Sequence, residues 1–134
     1  MNIDNLEFVR IKTPEMFSLI PKRLFKNAKA DFDIDKLYDL SYMFIQSPCT
    51  QFYIMIYKGE IHGILWAWIN IFSDIIHVNV LSIDKEYKSG KTIKKCLRFV
   101  QSWSKKAKIE FITKRPKPYE KLGFHRSNKI LMET

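Results

Sequence analysis

Apolar positions recur along this chain with two periods, one of two residues and one of three to four. Residues 6–12 alternate apolar and polar for part of their length, which predicts a strand. Thr13 then stands as a cap with Pro14 at the first helical position. Met16, Phe17, Leu19 and Ile20 supply the apolar face of that helix until Pro21 interrupts it. Residues 22–30 read as a basic connection. Asp33 caps a second helix, in which Ile34, Leu37, Tyr38, Ser41 and Phe44 share a face and which stops near Ser47-Pro48. The β-branched and aromatic residues of 51–57 predict a strand, and Lys58-Gly59-Glu60 a hairpin turn with Gly59 at positive φ. Residues 61–71, with Trp66 and Trp68, return as a strand. Residues 75–83 are apolar on both faces and predict a strand central in its sheet.

Residues 84–90 read as a polar loop. From Thr92 the spacing of Ile93, Cys96, Leu97, Val100, Trp103 and Ala107 is helical, with Lys94, Lys95, Arg98, Lys105 and Lys106 filling the other positions. Residues 108–113 predict a strand, reached by a right-handed crossover and parallel to residues 75–83. A basic loop with two prolines follows. Residues 118–124 then predict a short helix ended by Gly123, where a left-handed residue is wanted and glycine has no Cβ to clash. Residues 129–132 read as a last strand. The fold class is α/β, a single domain (residues 1–134) with one central, mostly antiparallel mixed sheet and helices on both faces.

Composition narrows the function classes. A chain of 134 residues, 46% hydrophobic, is long enough to bury a core and too apolar for disorder. No apolar run approaches the roughly 20 residues of a membrane span, and no membrane partner is expected. The longest, 61–72, carries His62 and Asn70. The N-terminal residues lack the pattern of a signal peptide. Two cysteines, Cys49 and Cys96, make neither a disulfide framework nor a metal site, so a reducing cytoplasmic setting is expected. Charge is uneven. Residues 1–83 hold 8 Lys+Arg against 9 Asp+Glu, whereas residues 84–134 hold 15 against 5. A basic C-terminal half implies an anionic partner: phosphates of a cofactor, of nucleic acid or of a membrane surface.

The run Tyr119-Glu120-Lys121-Leu122-Gly123-Phe124 resembles the closing motif of the GNAT superfamily of N-acetyltransferases, and the order of elements matches that family across nearly the whole chain. The resemblance implies transfer of an acetyl group from acetyl-CoA to an amine, with Tyr119 protonating the leaving thiolate. It places the pyrophosphate loop of acetyl-CoA where the fourth strand passes into the long basic helix. The cofactor-binding residues are then Leu81, Ile83, Lys88, Ser89, Gly90, Lys91, Thr92 and Ile93, with Lys88 at the family's Arg/Gln position. Backbone N–H groups at a helix N-terminus suit such an anion without a particular side chain. Aligned on Tyr87, the family's two loop glycines fall on Lys91 and Ile93, and the local glycine is Gly90.

His77 lies within the fourth strand, where some family members carry a glutamate. An imidazole suits proton abstraction from an amine, which makes His77 the candidate base. Period-two geometry puts His77, Asn79, Leu81 and Ile83 on one face, and His62, Trp66 and Trp68 on one face of the preceding strand, with a polar and aromatic pocket between them. A second reading is a GNAT-fold protein without catalysis, associated with a phage virion. Ser89-Gly90-Lys91 looks like the start of the long helix in a small GNAT-like internal virion protein of some short-tailed phages. The basic half would then meet nucleic acid or another virion protein.

Overall fold

A computed structural model describes residues 2–28, 35, 36, 39, 43, 45–113, 116–127, 129, 130, 132 and 133. Five strands, β1 (Glu7–Arg10), β2 (Thr50–Tyr57), β3 (Glu60–Asn70), β4 (Ile75–Ile83) and β5 (Lys108–Phe111), form one sheet in the order of the chain. The first four are antiparallel and β5 is parallel to β4, so β4 is interior. The helices are α1 (Pro14–Phe17), α2 (Lys22–Asn27), α3 (Gly90–Gln101) and α4 (Lys117–Glu120). Of the helix expected to start at Asp33, Asp33, Ile34, Leu37, Tyr38, Ser41 and Phe44 lie outside the described residues, while residues 35, 36, 39, 43, 45 and 46 are helical.

Most predicted elements are present. Lys58 and Gly59 form the two-residue turn between β2 and β3, with φ of +50° and +77°. Positive φ at both positions gives a turn whose twist matches that of the flanking strands. Three expectations fail. Residues 22–27 are a helix rather than a connection, because Pro21 precedes its first turn and Leu24 and Phe25 anchor it in the core. Leu19 is exposed, because α1 stops at Phe17 and leaves it outside the helical face. Lys129, Ile130 and Met132 belong to no strand, and Ile130 and Met132 are exposed.

The sheet separates two apolar layers. Phe17, Ile20, Leu24 and Phe25 of the α1–α2 region pack on Phe52, Ile54, Ile64 and Val80 on one face. Ile93, Cys96, Leu97 and Val100 of α3 pack on Met55, Leu65, Ala67, Ile76, Val78 and Ile83 on the other. Each fully buried side chain of this size contributes about 1.5–3 kcal/mol. Gly63 allows β3 to lie close to its neighbours: a Cβ there would stand 2.6 Å from Met55 Cε and 3.0 Å from the Ser82 carbonyl oxygen.

Two bulges decide which side chains reach which face. Between Met55↔Gly63 and Ile56↔Ile61, β3 carries one extra residue, His62. Between Trp66↔Val80 and Ala67↔Val78, β4 carries one extra residue, Asn79. Asn79 breaks the alternation, so Val78 faces α3 while Val80 faces α1 and α2. The expectation that His77 shares a face with Leu81 and Ile83 is therefore corrected. His77 faces the α1–α2 side, whereas Leu81 and Ile83 pack with the α3 layer.

Candidate active site

The sheet opens where β4 and β5 part. Their last paired residues are Val78 and Phe111, and β4 runs on to Ile83 while β5 ends. Residues 79–83 of β4 thus keep one edge without a strand partner among the described residues, a row of backbone donors and acceptors open to an extended ligand. That edge leads to the N-terminus of α3. Ser89 caps this helix, its Oγ accepting from Thr92 N at 3.2 Å, and Thr92 Oγ1 donates to the Tyr87 carbonyl at 2.8 Å. Thr92 and Ile93 are buried, so their side chains brace the turn and the core. The first-turn N–H groups of Gly90 and Lys91 have no helical carbonyl to bond and are left for an anion.

Two clefts flank this turn. One of about 340 Å³ is lined by Glu86, Ser89, Lys91 and Thr92 together with Asn2 and Ile3. The other, about 210 Å³, lies against Leu81, Ser82 and Ile83 of β4 and carries Lys26, Lys85 and Lys88 with no acidic residue. Three ammonium groups and no carboxylate make the smaller cleft the better phosphate site, since Glu86 opposes an anion in the larger one. Lys26 and Lys85 escaped the sequence analysis. Lys26 comes from α2, a helix whose apolar pair is too short to show a period.

An ion cluster around a buried carboxylate fixes the start of the loop. Asp84 follows the last residue of β4 and is almost fully buried. Arg23 grips it with both ends of its fork, Nε to Oδ1 and Nη2 to Oδ2, each at 2.8 Å. His62 Nδ1 lies 2.9 Å from Asp84 Oδ2, and Asp84 N donates to the His62 carbonyl at 2.8 Å. The His62 ring meets Tyr87 edge-on at 4.4 Å, which ties the loop to the β3 bulge. Arg23 is the main cause that holds the Asp84 carboxyl below its ordinary range; burial opposes it and His62 adds to it. Donating to Asp84 likewise raises the Arg23 guanidinium above its ordinary value. His62 therefore serves this cluster and does not line the pocket expected with Trp66, Trp68 and His77.

Tyr119 and His77 flank the parting from opposite faces. Tyr119, on α4, packs against the α3 layer with its ring 4.2 Å from that of Phe111. Phe124 N donates to the Tyr119 carbonyl and Gly123 N to the Glu120 carbonyl. These are the two bonds of a Schellman motif, with Gly123 at φ +97°. Burial is the first cause that raises the Tyr119 phenol above its ordinary value, so it holds its proton at neutral pH. His77 stacks on Trp68 at 4.4 Å, and its Nδ1 lies 3.7 Å from Glu110 Oε2 across the β4–β5 pair.

No family model and no curated protein matches the sequence. Solved structures do match. Aminoglycoside N-acetyltransferase AAC(6')-Iy, in complex with a bisubstrate analogue of CoA, superposes with a TM-score of 0.74 over 96% of this chain and 97% of its own, at 14% identity. A predicted acetyltransferase from Clostridium acetobutylicum, with acetyl-CoA, gives 0.74 over 96% of each chain at 14% identity. AAC(6')-Ih from Acinetobacter baumannii gives 0.73 over 96% and 97% at 12% identity.

The chain has the GNAT N-acetyltransferase fold. Within this GNAT fold the expected cofactor residues divide. Leu81, Ile83 and Lys88 line the lysine cleft, and Ser89, Lys91 and Thr92 line the larger one. Gly90 opens α3, and a Cβ there would meet nothing within 4 Å, so that glycine serves no close packing within the protein. Among the described residues no group of His, Cys, Asp and Glu is placed to hold a metal. No helix among them is long and apolar enough to cross a membrane.

Proposed function

We propose that this protein transfers an acetyl group from acetyl-CoA to a primary amine. The observation that carries the reading is the parting of β4 and β5, whose open β4 edge runs from Asn79 to the lysine cleft and the N-terminus of α3. Five residues of strand span about 17 Å, a length suited to an extended pantetheine arm lying along that edge. Lys26, Lys85 and Lys88 would hold the phosphates, aided by the N–H groups of Gly90 and Lys91. CoA-bound acetyltransferases of the same fold, and an aminoglycoside acetyltransferase in complex with sisomicin, support both the cofactor and an amine acceptor.

Acetyl-CoA supplies an acyl carbon activated by a thiol leaving group. The protein's own contribution is placement and two proton positions. Tyr119, protonated at neutral pH, donates to the departing sulfur from the α3 face. His77, on the α1–α2 face, accepts the proton that the amine loses. The loop departs from the family's glycine pattern at Lys91 and Ile93. It is compatible with phosphate because Ile93 points into the core and leaves the backbone of residues 90 and 91 uncovered.

The test is thiol release from acetyl-CoA in the presence of a primary amine. The reading expects free thiol that depends on both substrates and on the protein. No release above the blank at saturating acetyl-CoA, across several amines, would reject it and favour the non-catalytic, nucleic-acid-binding alternative.

A further inference from the structure

We propose that the chain acetylates its own Lys129, held at a subsite for primary alkylammonium groups made by Trp68, His77 and Glu110. The inference rests on the acyl-transfer reading above and adds the acceptor. These three side chains form one cross-strand row, Trp68 opposite His77 in β3–β4 and His77 opposite Glu110 in β4–β5. The row lies one residue before Val78↔Phe111, the last pair before the two strands part, and on the face away from Tyr119.

Its chemistry fits an amine. Glu110 offers a carboxylate whose two oxygens are divided: Oε2 lies 3.7 Å from His77 Nδ1, and Oε1 accepts from Lys129 Nζ at 2.5 Å. The Trp68 ring is partly exposed and stacks on His77, giving an aromatic wall of the kind that attracts cations. An ammonium bound on Glu110 thus stands beside a proton acceptor. Lys129 is mostly exposed, and an exposed ion pair of this kind contributes little to stability. Its role in holding the tail is minor, and an amine from solution competes for the same carboxylate.

The step balances with acetyl-CoA as the sole co-reactant. Lys129 Nζ, an ammonium on Glu110, first gives one proton to solvent; the lone pair of the neutral amine then forms the N–C bond to the acyl carbon, and the second proton passes to His77. The C–S bond breaks, and the sulfur leaves with the electron pair and takes the Tyr119 proton. The products are acetyl-lysine and free CoA, and the proton held by His77 returns to Tyr119 through solvent.

The full chain is incubated with acetyl-CoA alone, and acetylation of each lysine is followed by peptide mass spectrometry. Lys129 is expected to react about ten-fold or more faster than the exposed Lys105 and Lys106, as positioning beside a base requires. Glu110→Gln should abolish that preference, and n-butylamine should slow Lys129 acetylation while being acetylated itself. Lys129 reacting no faster than Lys105 while calorimetry shows acetyl-CoA bound would overturn this proposal and leave the enzyme reading standing. Absence of acetyl-CoA binding would overturn both.

Discussion

Replacing Asp84 by Asn keeps the shape of the side chain and removes its charge. Asp84 accepts two bonds from Arg23 at 2.8 Å and one contact from His62 at 2.9 Å. Bonds to a charged group contribute about 1.5–3 kcal/mol each when protected from water. Arg23 is 52% exposed, so its pair is screened and adds little. His62 and Asp84 side chains are each only 11% exposed, so their bond carries most of the effect, about 2 kcal/mol. A loss of about 2 kcal/mol in a chain of 134 residues corresponds to a fall in melting temperature of about 7 °C. The effect depends on pH in a defined direction. The folded Asp84 carboxyl lies below its ordinary value of 3.8, so its contribution is complete above the unfolded pKa and is lost as pH falls through the folded one. Thermal melts of wild type and Asp84→Asn should therefore differ by the full amount at about pH 7 and converge below about pH 4. Equal melting temperatures at neutral pH, or a gap that widens as the solution is made more acid, would refute the cluster as drawn.

Further perturbations test other parts of the account. Gly63→Ala places a Cβ against Met55 Cε and the Ser82 carbonyl; Met55 can turn aside but the strand cannot, and a destabilisation of about 1–3 kcal/mol is expected by denaturant unfolding. Tyr119→Phe should lower kcat about a hundred-fold with acetyl-CoA affinity unchanged, as for loss of a general acid; an equal loss of affinity would assign Tyr119 to packing alone. The Cys96 thiol is buried, and burial is the first cause that pushes it up to about 12. A thiol reagent should label Cys49 in the folded protein and reach Cys96 only on unfolding, and rapid labelling of both would show that the α3 layer opens.

Much of this fold is readable in the residues. The strand at 75–83 announces itself by apolar residues on both faces, and the turn at Lys58-Gly59 by a glycine between two runs rich in β-branched and aromatic residues. The α3 spacing places Cys96, Leu97 and Val100 on the core side, where they are found. What escaped was whatever depends on distant partners or on a broken period. The helix at 22–27 shows one adjacent apolar pair among basic residues, and only the core contacts of Leu24 and Phe25 reveal it. Asn79 adds a single residue to β4, and no local pattern marks it, yet it turns His77 to the other face. Asp84 reads as a loop residue because Arg23 lies 61 positions away. The apolar run at 130–132 reads as a strand, but Lys129, Ile130 and Met132 lie in none. Of the candidate site, Tyr119 and the loop after β4 follow from the resemblance to GNAT enzymes. The lysine cleft and the Trp68–His77–Glu110 row arise from pairing that sequence period does not encode.

The most direct test of the central claim is a calorimetric titration of the full chain with acetyl-CoA, repeated for Lys88→Ala and Lys85→Ala. The account predicts one-to-one binding that each substitution weakens about ten-fold, equivalent to about 1.4 kcal/mol for a phosphate contact. No heat of binding at millimolar acetyl-CoA, or an affinity indifferent to both lysines, would contradict it.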